Sequence, residues 1–412
     1  MTSAARQQLQ QRSDYTHQYN VRTGRHGWLR LTPAYSVKIV EELIDKCDSP
    51  MRIFDPFCGT ATTALSAAYR GHHGVTTDIN PFLVWLGQAK TAYYPLEMIA
   101  ASRYASIQAL ELVKNGEVQA VPRPLLYNIE RWWSESSLNF LCQLRAAIDV
   151  VSDKGSQQHS ILLVAFCRTL IRLSNASFNH QSMSFKNAEQ LPLIMDNDMC
   201  SRYVEDMQFV LSGAAENPIG SGTVILGDAR NASSVTEGLF DRIITSPPYA
   251  NRMSYIRELR PYMYWLGFLE NGRDAGELDW LSIGGTWGVA TSRLNDWQHE
   301  SDHFENSLLS AVRDNISHND NKNGCILANY VAKYFDDMWT HFQGIRSTLA
   351  QGAEIHYIVG NSTFYGVLLP VEQIYAAMLE ALAFHSIKCI PIRKRNSKKE
   401  LIEFDVTATW KG

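Results

Sequence analysis

The stretch M-R-I-F-D-P-F-C-G-T-A-T-T-A-L-S-A-A-Y-R-G, residues 51–71, decides the expected fold. Its first four residues suit a short buried strand, a glycine-containing turn begins at Asp55, and an alanine-rich helix ends at Gly71. Glycine in such a turn lets a ligand approach the backbone, and the helix N-terminus offers free N–H groups. The next predicted strand, residues 74–77, leads to Asp78, whose carboxylate can accept hydrogen bonds from both hydroxyls of a ribose. The stretch is therefore typical of a βα unit that binds a nucleotide.

A second turn lies in residues 241–250, D-R-I-I-T-S-P-P-Y-A, at the end of another apolar strand. Each proline fixes φ near about −65° and removes an N–H, and the residue before each proline is pushed into extended geometry. The turn leaves the carbonyls of Ser246 and Pro247 free to accept hydrogen bonds, with the Ser246 hydroxyl beside them. The ring of Tyr249 can lie parallel to a flat substrate. These groups suit an exocyclic amino group on a planar base, and a Pro-Pro loop with a packed tyrosine is the alternative.

A third predicted strand, residues 223–226, runs into Gly227-Asp228-Ala229. The carboxylate of Asp228 can accept a hydrogen bond from the amino group of an adenine. The strand ends follow one another in the order that a parallel sheet needs, and ligands gather at the carboxyl ends of such strands. An NTPase site is a poor alternative interpretation of the first turn, because no Gly-Lys-Ser/Thr follows it. A dinucleotide-binding Rossmann unit is a weak alternative.

In this order the motifs resemble those of the S-adenosylmethionine (AdoMet)-dependent DNA amino-methyltransferases, which methylate cytosine N4 or adenine N6. Thr-Ser-Pro-Pro-Tyr looks like the cytosine-N4 version. The resemblance implies an α/β fold, a seven-stranded Rossmann-like methyltransferase sheet with a helical insertion and a loop-rich second insertion. It implies that catalysis falls to Ser246, Pro247, Pro248 and Tyr249. The residues implied to bind AdoMet are Thr32, Tyr35, Asp55, Pro56, Phe57, Cys58, Gly59, Thr60, Asp78, Ile79, Asn80, Asp228, Ala229 and Thr245.

One position departs from the family pattern Phe-x-Gly-x-Gly, because Ala61 replaces the second glycine. Alanine adds a single methyl group, and we expect that it cannot adopt a positive φ at this position without strain. The departure is small and leaves the resemblance in place.

The resemblance also implies a substrate, double-stranded DNA, with the target cytosine flipped out of the helix and stacked on Tyr249. The implied partner is a cognate restriction endonuclease or another defence-system subunit. Three alternatives stay open: the same chemistry on adenine N6, methylation of an RNA base, and a non-catalytic subunit that keeps the fold as a DNA-binding scaffold.

The composition of the 412 residues is typical of a globular protein, with 45% hydrophobic residues and a formal net charge of −4. Since the chain is not basic overall, DNA contacts must come from a local basic face. The seven cysteines are scattered without a C-x-x-C pair, which indicates reduced thiols and no metal site. The N-terminus has no apolar signal region, and no stretch approaches about 18 uninterrupted apolar residues. We therefore expect a soluble cytoplasmic protein.

The chain divides into six expected segments: a polar N-terminal arm (1–26), the AdoMet-binding part of the core (27–90), a helical insertion (91–219), the core with the catalytic motif (220–250), a loop-rich insertion (251–325) and the C-terminal part of the core (326–412). We expect the arm to be mobile or ordered only on binding. Either insertion could read DNA. The candidate DNA contacts, which solvated or core-packed helices would also explain, are Arg168, His180, Lys186, Arg252, Arg257 and Arg260. The basic run at residues 393–395 is expected in a solvated hairpin turn.

Overall fold

Seven strands form one mixed sheet in the computed structural model, which describes residue 9 and residues 12–31, 35–46, 50–177, 184–185, 196–251, 254–286, 292–299, 302–318, 323–395 and 401–412. The strands are β1 (Arg52–Asp55), β2 (His73–Asp78), β3 (Ser221–Leu226), β4 (Phe240–Thr245), β5 (Leu349–Gly360), β6 (His385–Lys394) and β7 (Ile402–Thr409). Their spatial order is β6-β7-β5-β4-β1-β2-β3. Strands β1 to β5 run parallel, and β7 is antiparallel to both of its neighbours. The predicted seven-stranded, Rossmann-like α/β sheet is confirmed.

The order of the strands reverses between β1 and β4, where Ile53 lies opposite Arg242 and Phe54 lies opposite Ile243. From β1 the sheet grows outward through β2 to β3 on one side, and the chain then returns to β4 on the other side. The carboxyl ends of β1 and β4 are therefore neighbours. In open α/β sheets this switch point is where a crevice for ligands opens.

The longer helices surround the sheet and build two apolar cores. They are α1 (Val37–Ile44), α2 (Thr62–Tyr69), α3 (Pro81–Thr91), α4 (Leu96–Asn115), α5 (Glu135–Val151), α6 (Gln157–Arg172), α7 (Asp196–Ala215), α8 (Tyr255–Trp265), α9 (Gly272–Leu281), α10 (Ser307–Ser317), α11 (Gly324–Ile345) and α12 (Val371–Ala381). Helices α4 to α7, between β2 and β3, share one core with α3 and α8, and both Trp132 and Trp133 are buried in it. A second core joins β5 and β7 to α11 and α12.

Residues 12–26 do not form the predicted mobile arm, because Tyr15 is buried in a separate apolar cluster with α1 and Arg25 lies against Tyr94 of the first core. Arg25 is fully buried, and its guanidinium donates to the carbonyls of Lys90 (2.9 Å), Gly213 (3.0 Å) and Ala214 (2.8 Å). A buried charge is tolerated only when it is hydrogen-bonded, and these acceptors meet that condition. Arg25 thus fixes the N-terminal segment to α3 and α7. The acceptors are backbone carbonyls, so the sequence contains no sign of them.

The insertion predicted to be loop-rich, residues 251–325, contains helices α8, α9 and α10. Asn271 begins α9 by accepting hydrogen bonds from the backbone N–H groups of Arg273 and Asp274. Asn306 caps α10 in the same way. The asparagines that suggested loops therefore mark helix starts, which is an ordinary use of this residue.

Within the described ranges, no helix is both long and apolar enough to cross a membrane. The same ranges contain no group of three His, Cys, Asp or Glu side chains arranged to hold a metal ion. The cysteines that the structure describes are unpaired thiols: Cys58, Cys142, Cys167, Cys200, Cys325 and Cys389.

Candidate active site at the switch point

The carboxylate of Asp55, at the end of β1, joins the two turns on which the sequence prediction rests. It is fully buried, and its Oδ1 accepts hydrogen bonds from Thr245 Oγ1 (2.5 Å) and Phe57 N (3.0 Å). Its Oδ2 has no hydrogen-bond partner among the described residues. Burial raises the pKa of Asp55 to about 7, although the hydrogen bonds from Thr245 and Phe57 favour the charged form. A further hydrogen bond, from Thr63 Oγ1 to Ile244 O (3.0 Å), ties α2 to β4.

Tyr35 brings the segment before α1 to the same place. Its hydroxyl contacts the hydroxyl of Thr63. Burial and then the charge of Asp55 raise the pKa of Tyr35 well above its ordinary value, so the phenol is neutral. Thr32, which the resemblance places in the same site, lies outside the described residues.

Asp78, at the end of β2, closes the first turn from the neighbouring strand. Its Oδ2 accepts a hydrogen bond from Gly59 N and its Oδ1 accepts one from Asn80 N, both at 2.9 Å. Gly59 has a φ of 49°, a conformation that glycine adopts without a steric penalty. Burial raises the pKa of Asp78 to about 6 against the effect of the backbone hydrogen bonds. Each carboxylate oxygen can still accept one more hydrogen bond from a ligand.

Two residues predicted to bind the cofactor have their side chains occupied inside the protein. Asn80 is buried, and its Oδ1 accepts from Phe82 N (3.0 Å), so the side chain caps α3 instead of facing a ligand. Cys58 is also buried, and burial, together with the charges of Asp78 and Asp55, raises the pKa of its thiol well above the ordinary value. The thiol stays protonated and is not a nucleophile.

Buried side chains also hold the backbone of the first turn. Thr77 Oγ1 donates to Pro56 O (3.1 Å), and Lys90 Nζ donates to Thr60 O (3.0 Å). Lys90 is fully buried, and burial lowers its pKa to about 7. Ile79 follows β2 and is half-buried. These contacts fix the path of the chain between β1 and α2.

Ala61 adopts a positive φ, the conformation that an alanine was expected to take only with strain. Its φ is 59° and its ψ is 32°, in the left-handed region, at the residue before α2. The turn imposes this geometry: Ala61 N donates to Cys58 O (2.8 Å), and Ala61 O accepts from Leu65 N (3.0 Å). A non-glycine residue in this region carries strain of about 1–2 kcal/mol.

Asp228, after β3, is held by an arginine two residues later. Arg230 Nη2 donates to Asp228 Oδ2 (2.6 Å), and Arg230 Nη1 donates to Asp337 Oδ1 (2.7 Å) on α11. Burial alone would raise the pKa of Asp228, but the hydrogen bonds and the charge of Arg230 outweigh burial and lower it. The carboxylate is therefore ionised and fixed in position.

His341, on α11, contacts the candidate site and was not predicted from the sequence. It is fully buried, its Nδ1 donates to Ala229 O (2.7 Å), and its Nε2 accepts from the Tyr357 hydroxyl (2.7 Å). The centroid of its ring lies 4.9 Å from that of Phe57. Burial lowers the pKa of His341 to about 4, so the imidazole is neutral. It connects the first turn, the Asp228 turn and β5.

The turn after β4 has its polar groups fixed by buried partners. Ser246 Oγ donates to Ile358 O (2.9 Å), so its hydrogen is used and its lone pairs can accept. The Tyr334 hydroxyl lies 2.7 Å from that of Tyr375 and donates to Pro248 O (2.8 Å). The carbonyl of Pro248 is therefore engaged inside the protein.

Tyr249 is half-buried and held at both ends. Its hydroxyl donates to Glu403 Oε1 (2.8 Å), and its backbone N–H donates to the Tyr255 hydroxyl (3.2 Å). The guanidinium of Arg395 lies over the ring, 4.7 Å from its centroid. Burial and then the charge of Glu403 raise the pKa of Tyr249 well above the ordinary value, so the phenol is neutral.

Arg168, a predicted DNA contact, is used inside the protein. Its Nη1 donates to Gly27 O (3.0 Å) and Trp28 O (2.7 Å), and its Nε donates to Asp206 Oδ1 (3.1 Å). The guanidinium also packs over the ring of Phe209. This corrects the prediction of a phosphate contact, since Arg168 ties the N-terminal segment to α6 and α7.

The other basic residues predicted to contact DNA differ in their exposure. Arg257 is exposed in the first turn of α8. Arg260 lies over the ring of Trp132 at 5.3 Å, and burial followed by the charge of Arg257 lowers its pKa. His180, Lys186 and Arg252 lie outside the described residues.

Comparison with known proteins gives relatives but no family assignment, since no protein-family model matches the chain. The chain is 22% identical to the Type II methyltransferase M.BsoBI from Geobacillus stearothermophilus over a 440-residue alignment, which covers 96% of this chain and 86% of the relative. It is 19% identical to the Type II methyltransferase M.MvaI from Kocuria varians over 409 residues, which cover 93% and 86%.

Two solved structures of the rRNA methyltransferase aviRa from Streptomyces viridochromogenes align with 92% and 95% of this chain and cover 87% and 92% of their own chains. Both are 11% identical to it, and the TM-scores are 0.29 and 0.31. At such scores the structural likeness carries no argument. The similarity to the two Type II methyltransferases, over nearly the whole chain, supports a methyltransferase enzyme.

Proposed function

We propose that the protein is a site-specific DNA methyltransferase that transfers a methyl group from AdoMet to N4 of a cytosine flipped out of double-stranded DNA. The hydrogen bond between Thr245 and Asp55 carries the proposal, because it holds the two motif turns side by side at the switch point. The two relatives named as Type II methyltransferases support a DNA substrate and a role in a restriction-modification or related defence system.

The residues present fit AdoMet, which carries an ammonium group, a sulfonium group, a ribose and an adenine. The buried Oδ2 of Asp55, which has no partner among the described residues, is an acceptor suited to a cation. The carboxylate of Asp78 is a ready acceptor for the ribose hydroxyls, and the ionised carboxylate of Asp228, although Arg230 contacts both of its oxygens, is the acceptor assigned to the adenine amino group. Phe57, held by His341, adds an aromatic ring. When bound, AdoMet would supply an electrophilic methyl group whose leaving group is the neutral thioether, and the methylated amino nitrogen would then release one proton to water.

The catalytic turn would hold the amino group that accepts the methyl. The Ser246 hydroxyl gives its hydrogen to Ile358 O, so it meets the amino N–H as an acceptor. Because Tyr334 engages the Pro248 carbonyl, the proposal assigns the second acceptor role to Pro247 O. Two acceptors of this kind direct the nitrogen lone pair toward the methyl group, and alignment is the main catalytic contribution that such a transfer needs.

Tyr249 would stack on the base once it has left the helix, which offsets a flipping cost of a few kcal/mol. No covalent intermediate is required, and the buried, protonated thiol of Cys58 is consistent with that. Exposed Arg257, on the helix after the turn, is suited to a backbone phosphate.

The test is methyl transfer from radiolabelled AdoMet to unmethylated plasmid DNA and, separately, to tRNA, followed by mass spectrometry of the nucleosides. The expected product is N4-methylcytosine in DNA. N6-methyladenine would overturn the choice of base, and transfer to tRNA alone would overturn the choice of DNA. AdoMet binding without transfer to either would indicate a scaffold.

Sequencing of DNA from an expressing host would report the target site. Asp78→Ala is the matched variant for the cofactor side, because it should weaken AdoMet binding before it affects the catalytic turn.

A further inference from the structure

The ring of Tyr249 is clamped by residues of the C-terminal strand pair. Its hydroxyl is fixed by Glu403, which is only 3% exposed and also accepts a hydrogen bond from Arg393 Nε (2.6 Å). The hydroxyl end of the ring therefore cannot swing without breaking a buried network. The two strands that supply these side chains, β6 and β7, pair antiparallel in the register Arg393 to Glu403.

A second contact covers one face of the same ring. The Arg395 guanidinium lies 4.7 Å from the ring centroid, and its Nη1 donates to Asn361 O (2.8 Å). It also lies directly against Gly360, where an added Cβ would be 2.3 Å from Nη1 and 2.8 Å from Cζ. The guanidinium is thus placed between the end of β5 and Tyr249. It occupies one face of the ring.

We propose that Arg395 is a positioning residue that fills this face of Tyr249, so that only the opposite face can receive the flipped base. The inference rests on the proposed function and adds a residue to it. A planar guanidinium stacks well on an aromatic ring and is attracted to it, which makes it a stiff support. Gly360 belongs to the arrangement because any larger residue would push the guanidinium away.

Arg395 has an obvious alternative role, direct contact with a DNA phosphate, and the two roles predict different behaviour. A support acts only through the ring, so its loss has no effect once the ring is gone. A phosphate contact acts on DNA whatever residue stands at position 249, and it contributes to the salt dependence of binding.

The test is a double-mutant cycle on single-turnover methyl transfer to unmethylated plasmid DNA, with AdoMet affinity measured by calorimetry. Arg395→Met is expected to lower the rate about tenfold in the wild-type and Tyr249→Phe backgrounds, and less than about twofold in a Tyr249→Leu background. AdoMet affinity and the salt slope of DNA binding should not change. Gly360→Ala should reproduce the loss and should not add to Arg395→Met, because both displace the same guanidinium. Lys394→Met, which removes a neighbouring charge, is the matched control and should keep the rate within about twofold.

An equal loss in the Tyr249→Leu background, or a salt slope lowered by about one, would overturn the inference in favour of a phosphate contact. A wild-type rate in Arg395→Met would overturn it as well. The failure of the proposed function looks different, because wild-type protein would then transfer no methyl group to DNA, or Tyr249→Leu would react as fast as wild type.

Discussion

AdoMet affinity is expected to fall steeply below neutral pH, because the proposed site contains the buried carboxylate of Asp55. Burial raises the pKa of Asp55 to about 7, and a bound cation favours the ionised form. Binding below this pH must expel a proton, which weakens the apparent affinity toward a limit of about tenfold for each pH unit. From pH 7 to pH 5.5 the expected loss is about 15-fold, or about 1.6 kcal/mol. Asp78, with its pKa raised to about 6, adds at most about fourfold over the same range.

Protonation of Asp55 does not destabilise the fold, so acid unfolding caused by this residue would not explain a loss of AdoMet affinity below pH 7. The folded-state pKa of Asp55 lies above its unfolded value of 3.8, so between about pH 4 and pH 7 the folded state binds more protons than the unfolded state. The contribution of Asp55 to stability therefore decreases as the pH rises through that window and is greatest on the acid side. The α-amino group of AdoMet contributes little to this pH dependence of affinity. Such a group has an ordinary pKa of about 7.7–8 and is mostly protonated at pH 7 and below.

The assay is calorimetric titration with AdoMet at pH 7, 6 and 5.5, in two buffers of different ionisation enthalpy so that proton release is measured directly. Asp55→Asn should bind AdoMet more weakly at pH 7 and lose most of the dependence of affinity on pH. Asp228→Asn is the matched control, because Arg230 already lowers the pKa of Asp228. This variant should lose AdoMet affinity by a similar factor at every pH and keep the wild-type pH dependence. A flat wild-type profile, or an Asp55→Asn profile as steep as wild type, would refute the reasoning.

Four further predictions follow from the same contacts. Ser246→Ala should lower single-turnover methyl transfer by about 100-fold and leave AdoMet affinity within about twofold, by analogy with the loss of one positioned hydrogen-bonding group; equal losses of rate and affinity would contradict its place on the substrate side. Lys90 has a folded pKa of about 7 against an unfolded 10.5, so the unfolded state binds more protons between these values. Wild type should therefore gain roughly 2 kcal/mol of stability relative to Lys90→Met between pH 7 and pH 9 in urea unfolding, and parallel profiles would exclude the effect. Ala61→Gly should raise the free energy of unfolding by about 0.5–1 kcal/mol because it relieves a positive φ, and a loss of stability would show that the turn is not strained. Arg257→Ala should reduce the salt slope of DNA binding by about one, and an unchanged slope would remove this residue from the interface.

The sheet and the strand ends were predictable because their signals are local. Asp55 and Asp78 each end a predicted strand and Asp228 lies two residues after one, and the handedness and order of parallel strands then place them at one edge. Helices α9 and α10 were not predicted as helices, because Asn and Gly favour caps and turns alike and only packing decides between them.

The residues that support the site could not be predicted from the sequence. His341 bonds to a carbonyl 112 residues away, Tyr334 to one 86 residues away, and Glu403 to a tyrosine 154 residues away. A single histidine, tyrosine or glutamate within a helix or strand has no periodicity that reveals such a partner. The basic run at residues 393–395 was expected to be a solvated turn, yet Arg393 pairs with buried Glu403 and Arg395 covers Tyr249.

The contact between Thr245 and Asp55 makes the proposed cofactor and substrate sites depend on each other. A cation beside Oδ2 favours the ionised form of Asp55, and an ionised carboxylate accepts a hydrogen bond from Thr245 more strongly than a protonated one does. Thr245 immediately precedes Ser246, so a stronger contact there holds the catalytic turn more firmly. By linkage, a base that holds the same turn must in return favour the ionised carboxylate and the cofactor beside it. Above about pH 7 Asp55 is already ionised, so this source of cooperativity vanishes. Below that pH the ionised carboxylate is the minority form, and both AdoMet and the base favour it.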